Sequence, residues 1–173
     1  MKNKNLNFFC LFLIITFFTT LLKSDEVNKL IDPHEYNFFT GMFDFSDEGR
    51  KSTLVGIQHQ NENLYKDTFL GTLSPVTGFL VTGDTATYLY TGVQAEYSLG
   101  KVNFTPSFTP GLYGQGDGKD LGHLVEFKSE LQLSFDLFKD SELGFSYNHI
   151  SNASLGEKNP GANSYMFNFM KKF

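Results

Sequence analysis

The chain has 173 residues, with 19 acidic and 14 basic side chains and a formal net charge of −5. This length fits one domain, and the acidic balance argues against nucleic acid as a partner, because phosphates are bound by basic surfaces. Aromatic residues make up 16% of the chain, with 20 Phe and no Trp. So much Phe without long apolar blocks is unusual for a soluble domain and favours a lipid-facing sheet.

The N-terminal segment is typical of a secretory signal peptide. Lys2 and Lys4 precede an apolar run over residues 6–22, and a polar stretch over residues 23–26 follows it. A basic start, an apolar centre and a polar exit are the features of such a peptide. The sequence therefore predicts a signal peptide over residues 1–24 and a single β-barrel domain over residues 25–173. An uncleaved membrane anchor is the alternative, since residues 22–24 form a poor cleavage site.

The one cysteine of the chain, Cys10, lies within this segment. Cleavage would leave a domain without disulfides or thiol chemistry, and the loss of three lysines would take its formal charge from −5 to −8. His34 and His59 have no partners that can be recognised in the sequence, so no metal site is predicted. No cofactor is expected.

From residue 35 onward the dominant hydrophobic period is two, the period of a β-strand. The clearest example is residues 121–137, where odd positions from Leu121 to Leu137 are mainly apolar and even positions are mainly polar. A strand sends these two sets to opposite faces of a sheet. Eight strands are predicted, at residues 35–46, 51–60, 68–82, 85–98, 101–113, 121–137, 141–151 and 163–173.

Nearly every predicted strand has one uniformly apolar face, which favours an eight-stranded antiparallel transmembrane β-barrel. Eight is the smallest even number of strands in single-chain outer-membrane barrels. The polar faces would line a lumen, where Glu126, Lys128 and Glu130 could compensate one another's charge. A secreted β-sandwich would also alternate, but it would not need outward faces this apolar.

The last predicted strand supports the same class. Its odd positions include the aromatic residues Tyr165, Phe167 and Phe169, and it ends in Phe173. This ending resembles the signal that bacterial outer-membrane barrels present to the barrel assembly machinery. The expected location is the outer membrane of a Gram-negative bacterium.

A polar motif interrupts the outward face of the seventh predicted strand. The apolar set that includes Tyr147 continues, at the same parity, into His149 and Ser151. With both termini in the periplasm, these two residues lie at the external end of that strand, and Asn163 lies at the external start of the eighth. Antiparallel pairing would bring the three side chains within about 5–8 Å at Cβ, on a patch that faces the outer leaflet.

This combination of residues indicates ester hydrolysis. A Ser hydroxyl becomes a good nucleophile when a neighbouring imidazole takes its proton, and the imidazole needs an acceptor that fixes its tautomer. A His that faces lipid is costly without partners or a purpose. The alternative is that His149 and Ser151 are ordinary polar residues at a strand end.

Around these residues the sequence resembles the outer-membrane lipid A 3-O-deacylase family. Members are eight-stranded barrels that remove an ester-linked acyl chain from lipid A of lipopolysaccharide. The specific likeness lies in residues 149–163, with HISNA at 149–153 and NPG at 159–161. A weaker likeness, which includes residues 105–114, extends over most of residues 35–173. The resemblance implies lipid A as the substrate.

The resemblance also implies roles for individual residues. Ser151 would be the nucleophile and His149 the general base. Asn152, Ala153 and the adjoining backbone amides would hold the oxyanion, and Asn159 would shape the loop.

One position departs from the family pattern, which has Glu where this chain has Asn163. An Asn carbonyl could fix the imidazole tautomer but could not stabilise the imidazolium by charge. Glu157, in the same loop, is a possible alternative acid. Two other functions therefore stay open at this point: a structural barrel whose hydrolase patch has decayed, and a phospholipase with Ser-His-Asn chemistry.

Overall fold

The computed structural model describes residues 34–61, 64–68 and 71–173. The predicted signal peptide over residues 1–24 lies outside them. The described residues form ten strands: β1 (His34–Phe43), β2 (Ser52–Asn61), β3 (Lys66–Thr68), β4 (Gly71–Thr82), β5 (Thr87–Ala95), β6 (Tyr97–Leu99), β7 (Val102–Gly114), β8 (Val125–Phe138), β9 (Ser141–Ser151) and β10 (Ala162–Lys172). Among these residues there is no helix of the length and apolarity that crossing a membrane requires.

Eight long strands close on themselves. Each pairs antiparallel with the next long strand along the chain, and β10 pairs with β1. The short strands β3 and β6 pair only with β4 and β7. This architecture confirms the predicted eight-stranded antiparallel barrel, and it places the first strand beside the last.

The two faces of the sheet differ as the alternation predicts. Leu131, Leu133 and Phe135 of β8 are exposed by 52%, 53% and 50%, whereas Lys128 and Glu130 are buried. The exposed set continues around the barrel, and its members include Phe38, Val55, Ile57, Phe79, Leu89, Val102, Phe108, Leu112, Phe145, Phe167 and Phe169. An apolar outer band around a polar interior is the pattern of a transmembrane barrel.

The interior charges are compensated only in part. Lys128 Nζ lies 2.8 Å from Glu130 Oε2 and 4.2 Å from the centre of the Tyr90 ring. Glu126 does not join this pair: both of its carboxylate oxygens are buried without a hydrogen-bond partner among the described residues. The prediction that three charges compensate one another is therefore met by two of them.

Two predicted strands, at residues 35–46 and 121–137, extend into a turn by three residues or more. The strand predicted from residue 121 begins at Val125, because Gly122 has a φ of +93° and its N–H donates to Asp120 Oδ1 at 2.8 Å. Leu121 consequently faces the core, with 1% exposure, and not the outer surface. β1 ends at Phe43 because Asp44 adopts a φ of +49°.

The third and fourth predicted strands each overlap two strands of the structure. Residues 68–82 include the last residue of β3 and the whole of β4, and residues 85–98 include the whole of β5 and the first two residues of β6. Pro75 does not interrupt β4, where it pairs with Val93 of β5. The ladder between β4 and β2 reaches only to Val76, so the missing N–H of the proline is tolerated at this position.

Candidate active site

The candidate site lies where β9 ends and β10 begins. His149 and Asn163 are direct partners in the β9–β10 ladder. The residues on either side of His149, Asn148 and Ile150, are fully buried. His149 therefore faces outward with the apolar band. Loops 115–124 and 152–161 lie at this end of the barrel, and long loops are extracellular in outer-membrane barrels.

Asn163 is the acceptor for the imidazole. His149 Nδ1 lies 2.8 Å from Asn163 Oδ1, and Tyr147 donates its hydroxyl hydrogen to the same oxygen at 2.8 Å. An amide oxygen only accepts, so the hydrogen bond places the proton of His149 on Nδ1. Nε2 then carries the lone pair that can take a proton. His149 is therefore in the tautomer that a general base needs.

Gly161 borders the reactive edge of the imidazole. Its φ is +64°, and a Cβ at this position would lie 2.8 Å from His149 Cε1 and 3.2 Å from Nε2. A side chain at this position would therefore have to displace the imidazole. Glycine here both permits the left-handed backbone and leaves room beside Nε2.

Ser151 shares the outward face of β9 with His149 and pairs with Phe127 of β8. Within the described part of the chain, its hydroxyl forms no hydrogen bond. Contacts between a nucleophile and its base are often long in free enzymes and tighten when substrate binds. The structure thus places Ser151 beside His149 without joining the two.

Asn152 anchors the loop that follows Ser151. Its side chain is fully buried, and Nδ2 donates to the backbone oxygens of Leu121 and Lys158, each at 2.8 Å. Its backbone N–H donates to Asn159 Oδ1 at 3.0 Å. All three N–H hydrogens of Asn152 are therefore engaged within the loops, one of them by Asn159.

The next two residues have an uncommon backbone. Ala153 and Ser154 have φ values of +51° and +64°, and both are exposed. Successive N–H groups in such turns form concavities that bind anions. Ala153, which the sequence associated with the oxyanion, lies in such a turn two residues after Ser151.

A second loop supports the first. Lys158 Nζ lies 2.6 Å from Asp120 Oδ2, and a Cβ on Gly122 would lie 2.3 Å from the backbone oxygen of Lys158. The hydrogen bonds from Lys158 and from the Gly122 N–H hold the pKa of Asp120 below its usual value. Glu157 is exposed in the 152–161 loop. The hydrogen-bond partner of His149 Nδ1 is Asn163 and not Glu157.

The β1–β2 hairpin contributes residues that the sequence did not identify. Asn163 Nδ2 donates to Ser46 Oγ at 3.1 Å, and the backbone N–H of Asn163 donates to Asp44 Oδ1 at 3.3 Å. Asp44 is buried and lies 2.5 Å from Lys119 Nζ. The one available signal was barrel closure, which predicts that the loop after the first strand lies next to the start of the last.

His34 and His59 were left without partners by the sequence, but they contact each other at the opposite end of the barrel. His34 Nδ1 lies 2.8 Å from His59 Nε2, and the rings stack with centroids 5.0 Å apart. Across the described residues, no group of three or more His, Cys, Asp or Glu side chains is arranged to hold a metal ion.

Comparisons with known proteins concern the family and the fold of the chain. The family model for lipid A 3-O-deacylase (PagL) matches residues 35–172, which include the whole candidate site. The crystal structure of the outer membrane enzyme PagL aligns with a TM-score of 0.60 and 16% identity over 79% of this chain and 98% of that chain. A de novo designed transmembrane β-barrel aligns with a TM-score of 0.55 and 9% identity over 85% of this chain and 100% of that one. A search of curated proteins found no match.

Proposed function

The chain belongs to the lipid A 3-O-deacylase (PagL) family of outer-membrane enzymes, and on that premise we propose that Ser151, His149 and Asn163 carry out its ester hydrolysis. The observation that carries the proposal is the 2.8 Å contact between His149 Nδ1 and Asn163 Oδ1. It fixes a basic Nε2 beside a serine, on a surface that faces the acyl chains of the membrane.

The proposed reaction has two halves. In the first, Ser151 Oγ attacks the ester carbonyl carbon of lipid A while His149 Nε2 takes the hydroxyl proton. The tetrahedral intermediate collapses, the sugar oxygen leaves with that proton, and the acyl group stays on Ser151. In the second half, His149 takes a proton from water, which attacks the acyl-serine. A free fatty acid leaves, and Ser151 regains its proton.

The backbone amides of Ala153 and Ser154 are the proposed donors to the oxyanion. Asn152 uses its own N–H groups to hold the loop, so the left-handed turn that follows supplies the free donors. One oxyanion donor is worth about 100-fold or more in rate. Asn152 and Asn159 then act by fixing the position of that turn.

The site opens sideways, into the membrane plane. Phe145 and Tyr147, which precede His149 on the same face, are 47% and 42% exposed. Lipid A that lies in the outer leaflet would reach Ser151 by lateral diffusion, with its acyl chains against this apolar face. No passage through the barrel interior is needed.

The proposal extends to assembly. The outward residues Phe167, Phe169 and Phe173 of the C-terminal segment are exposed. We propose that this aromatic edge is the signal that the barrel assembly machinery recognises.

Two serines near His149 allow a sharp test. Ser129 of β8 is the direct ladder partner of His149 and is exposed on the same face. Purified Ser151→Ala and His149→Ala should each lose at least about 100-fold in acyl release from lipid A, whereas Ser129→Ala should keep the wild-type rate. Heat-modifiable gel mobility would show that every variant is a folded barrel.

The reverse pattern would identify Ser129 as the nucleophile and overturn the assignment of Ser151. A parallel assay with phospholipid vesicles separates the two esterase functions. Faster hydrolysis of phospholipid than of lipid A would support a phospholipase, and the absence of hydrolysis by the wild type would support a decayed barrel.

A further inference from the structure

We propose that Ser46 is a positioning residue that determines which end of the Asn163 side-chain amide faces His149. This inference rests on the triad proposed above and concerns a feature that an Asn in the third position requires. A carboxylate at that position presents an acceptor whichever way it is rotated. An amide has one accepting end and one donating end of nearly the same size.

The wrong orientation would abolish the base. If Asn163 presented its NH₂ group to His149, Nδ1 would have to accept, and the imidazole proton would move to Nε2. That proton would then occupy the position that must receive the hydrogen of Ser151. Catalysis by this triad therefore needs a group that holds the oxygen of Asn163 toward His149.

Tyr147 does not supply that selection by itself. Its hydroxyl donates to Asn163 Oδ1 at 2.8 Å, but a phenol can also accept. Rotation of the hydroxyl would serve a flipped amide equally well. A group with a fixed direction is required elsewhere in the network.

The β1–β2 hairpin provides that direction. Ser46 Oγ accepts from Asn163 Nδ2 at 3.1 Å and donates its own hydrogen to Asp44 Oδ1 at 3.5 Å. A carboxylate only accepts, so Asp44 directs the Ser46 hydrogen toward itself and the Ser46 lone pair toward the amide. The hydrogen bonds therefore all run in one direction. His149 donates to Asn163, and the amide of Asn163 donates to Ser46. Ser46 in turn donates to Asp44.

Asp44 is held rigidly in this role. It is 1% exposed, pairs with Lys119 Nζ at 2.5 Å through Oδ2, and accepts the backbone N–H of Asn163 at 3.3 Å through Oδ1. The backbone oxygen of Asn163 accepts from the Phe45 N–H at 3.0 Å. The hairpin therefore grips both the backbone and the side chain of Asn163.

A double-mutant cycle tests the inference. Ser46→Ala in the wild-type background should lower kcat for lipid A about five- to tenfold, since one neutral hydrogen bond is lost, with KM unchanged. In the Asn163→Asp background the same change should alter kcat by less than about twofold, because a carboxylate has no wrong orientation. Ser98→Ala is the matched control: the Ser98 hydroxyl donates to Asn103 Oδ1 at 2.9 Å, at the other end of the barrel.

Nitrogen-15 NMR of His-labelled protein gives an independent readout. The wild type should show His149 protonated on Nδ1, and Ser46→Ala should increase the fraction protonated on Nε2. Equal losses from Ser46→Ala in both backgrounds would mean that Ser46 supports the hairpin and not the amide, and would overturn the inference. So would a Ser46→Ala rate equal to that of Ser98→Ala. Ser151→Ala belongs in the same series: if it retains turnover, the triad itself is wrong.

Discussion

Asn163, the proposed third member of the triad, forms hydrogen bonds that orient the imidazole, yet it carries no charge. The side-chain oxygen of Asn163 accepts hydrogen bonds from His149 and from Tyr147, each at 2.8 Å. Its side-chain nitrogen donates to Ser46 Oγ. The groups that contact the imidazole and the Asn163 amide directly are therefore all neutral. In the proposed reaction, the amide does not supply the Coulomb attraction by which a carboxylate would stabilise the imidazolium during attack by Ser151.

Substitution of Asn163 separates these two contributions. Asn163→Ala should lower kcat about 10- to 100-fold, because the tautomer is no longer fixed. Asn163→Glu should keep or raise kcat, since a carboxylate both orients the ring and stabilises its cation. Glu157→Gln should leave the rate unchanged. Steady-state hydrolysis of lipid A by the purified variants measures all three.

The opposite result for the loop carboxylate would change the assignment. If Glu157→Gln were inactive while Asn163→Ala kept its rate, Glu157 would be the third member of the triad.

Gly161 tests the space beside the imidazole. Gly161→Ala forces a non-glycine residue into a left-handed conformation, at a cost of about 1–2 kcal/mol, and brings a methyl group 2.8 Å from His149 Cε1. We expect kcat to fall about tenfold or more, because the base is displaced by the contact. Steady-state turnover of lipid A measures the loss in kcat, and thermal unfolding of the same preparation measures the loss in folding stability.

Gly100→Ala provides the matched control. Gly100 has a φ of +71°, and a Cβ there would meet nothing within 4 Å. The Gly100→Ala variant should lose about as much folding stability as Gly161→Ala and should keep the wild-type turnover. Equal turnover of the two variants would show that the space at Gly161 does not matter.

At the scale of elements, the strands could be predicted from sequence and the loop contacts could not. The alternation of β9 identified His149 and Ser151 as outward-facing, and the predicted limits of residues 141–151 are those of the structure. Periodicity carries that information because each residue of a strand alternates with its neighbours. Leu121 was misplaced because alternation was extended past Gly122, where a positive φ turns the chain.

The contacts of Ser46 with Asn163 illustrate what sequence patterns do not encode. These residues are 117 positions apart, and they meet only because the barrel closes between β1 and β10. Closure predicts that the two segments are neighbours, but the hydrogen-bond partners depend on the turn at Asp44. A local pattern cannot specify that turn, since its conformation is fixed by contacts with Lys119 and with β10.

The loop after β9 should depend more on the buried side-chain amide of Asn152 than on the exposed ion pair between Lys158 and Asp120. Asn152→Asp removes the two N–H donors to Leu121 and Lys158 and leaves buried carbonyl oxygens facing a carboxylate, an arrangement that costs several kcal/mol. Acyl release should fall by about 100-fold or more, since the proposed oxyanion donors of the next two residues are no longer held in place. Assays of lipid A hydrolysis would show this loss in a barrel that still migrates as folded.

Lys158→Ala is the comparison. It removes an ion pair whose side chains are 59% and 47% exposed, and exposed pairs contribute about 0–1 kcal/mol. Its activity should stay near that of the wild type. A Lys158→Ala loss as large as that of Asn152→Asp would mean that the ion pair, and not the amide, holds the loop.

For the whole molecule, the barrel is the frame on which the proposed hydrolytic site faces the membrane. Its apolar outer face fixes the depth at which β9 and β10 lie in the bilayer. Under the proposed function, the ends of these strands hold Ser151 and His149 at the edge of the outer leaflet.

The most direct test of this account is the mass spectrum of lipid A from three matched strains. One carries the wild-type gene, one lacks it, and one carries Ser151→Ala. The account predicts that wild-type cells contain lipid A from which one ester-linked acyl chain has been removed, and that the other two strains keep that chain. Identical lipid A in all three strains, or chain removal that persists with Ser151→Ala, would contradict it.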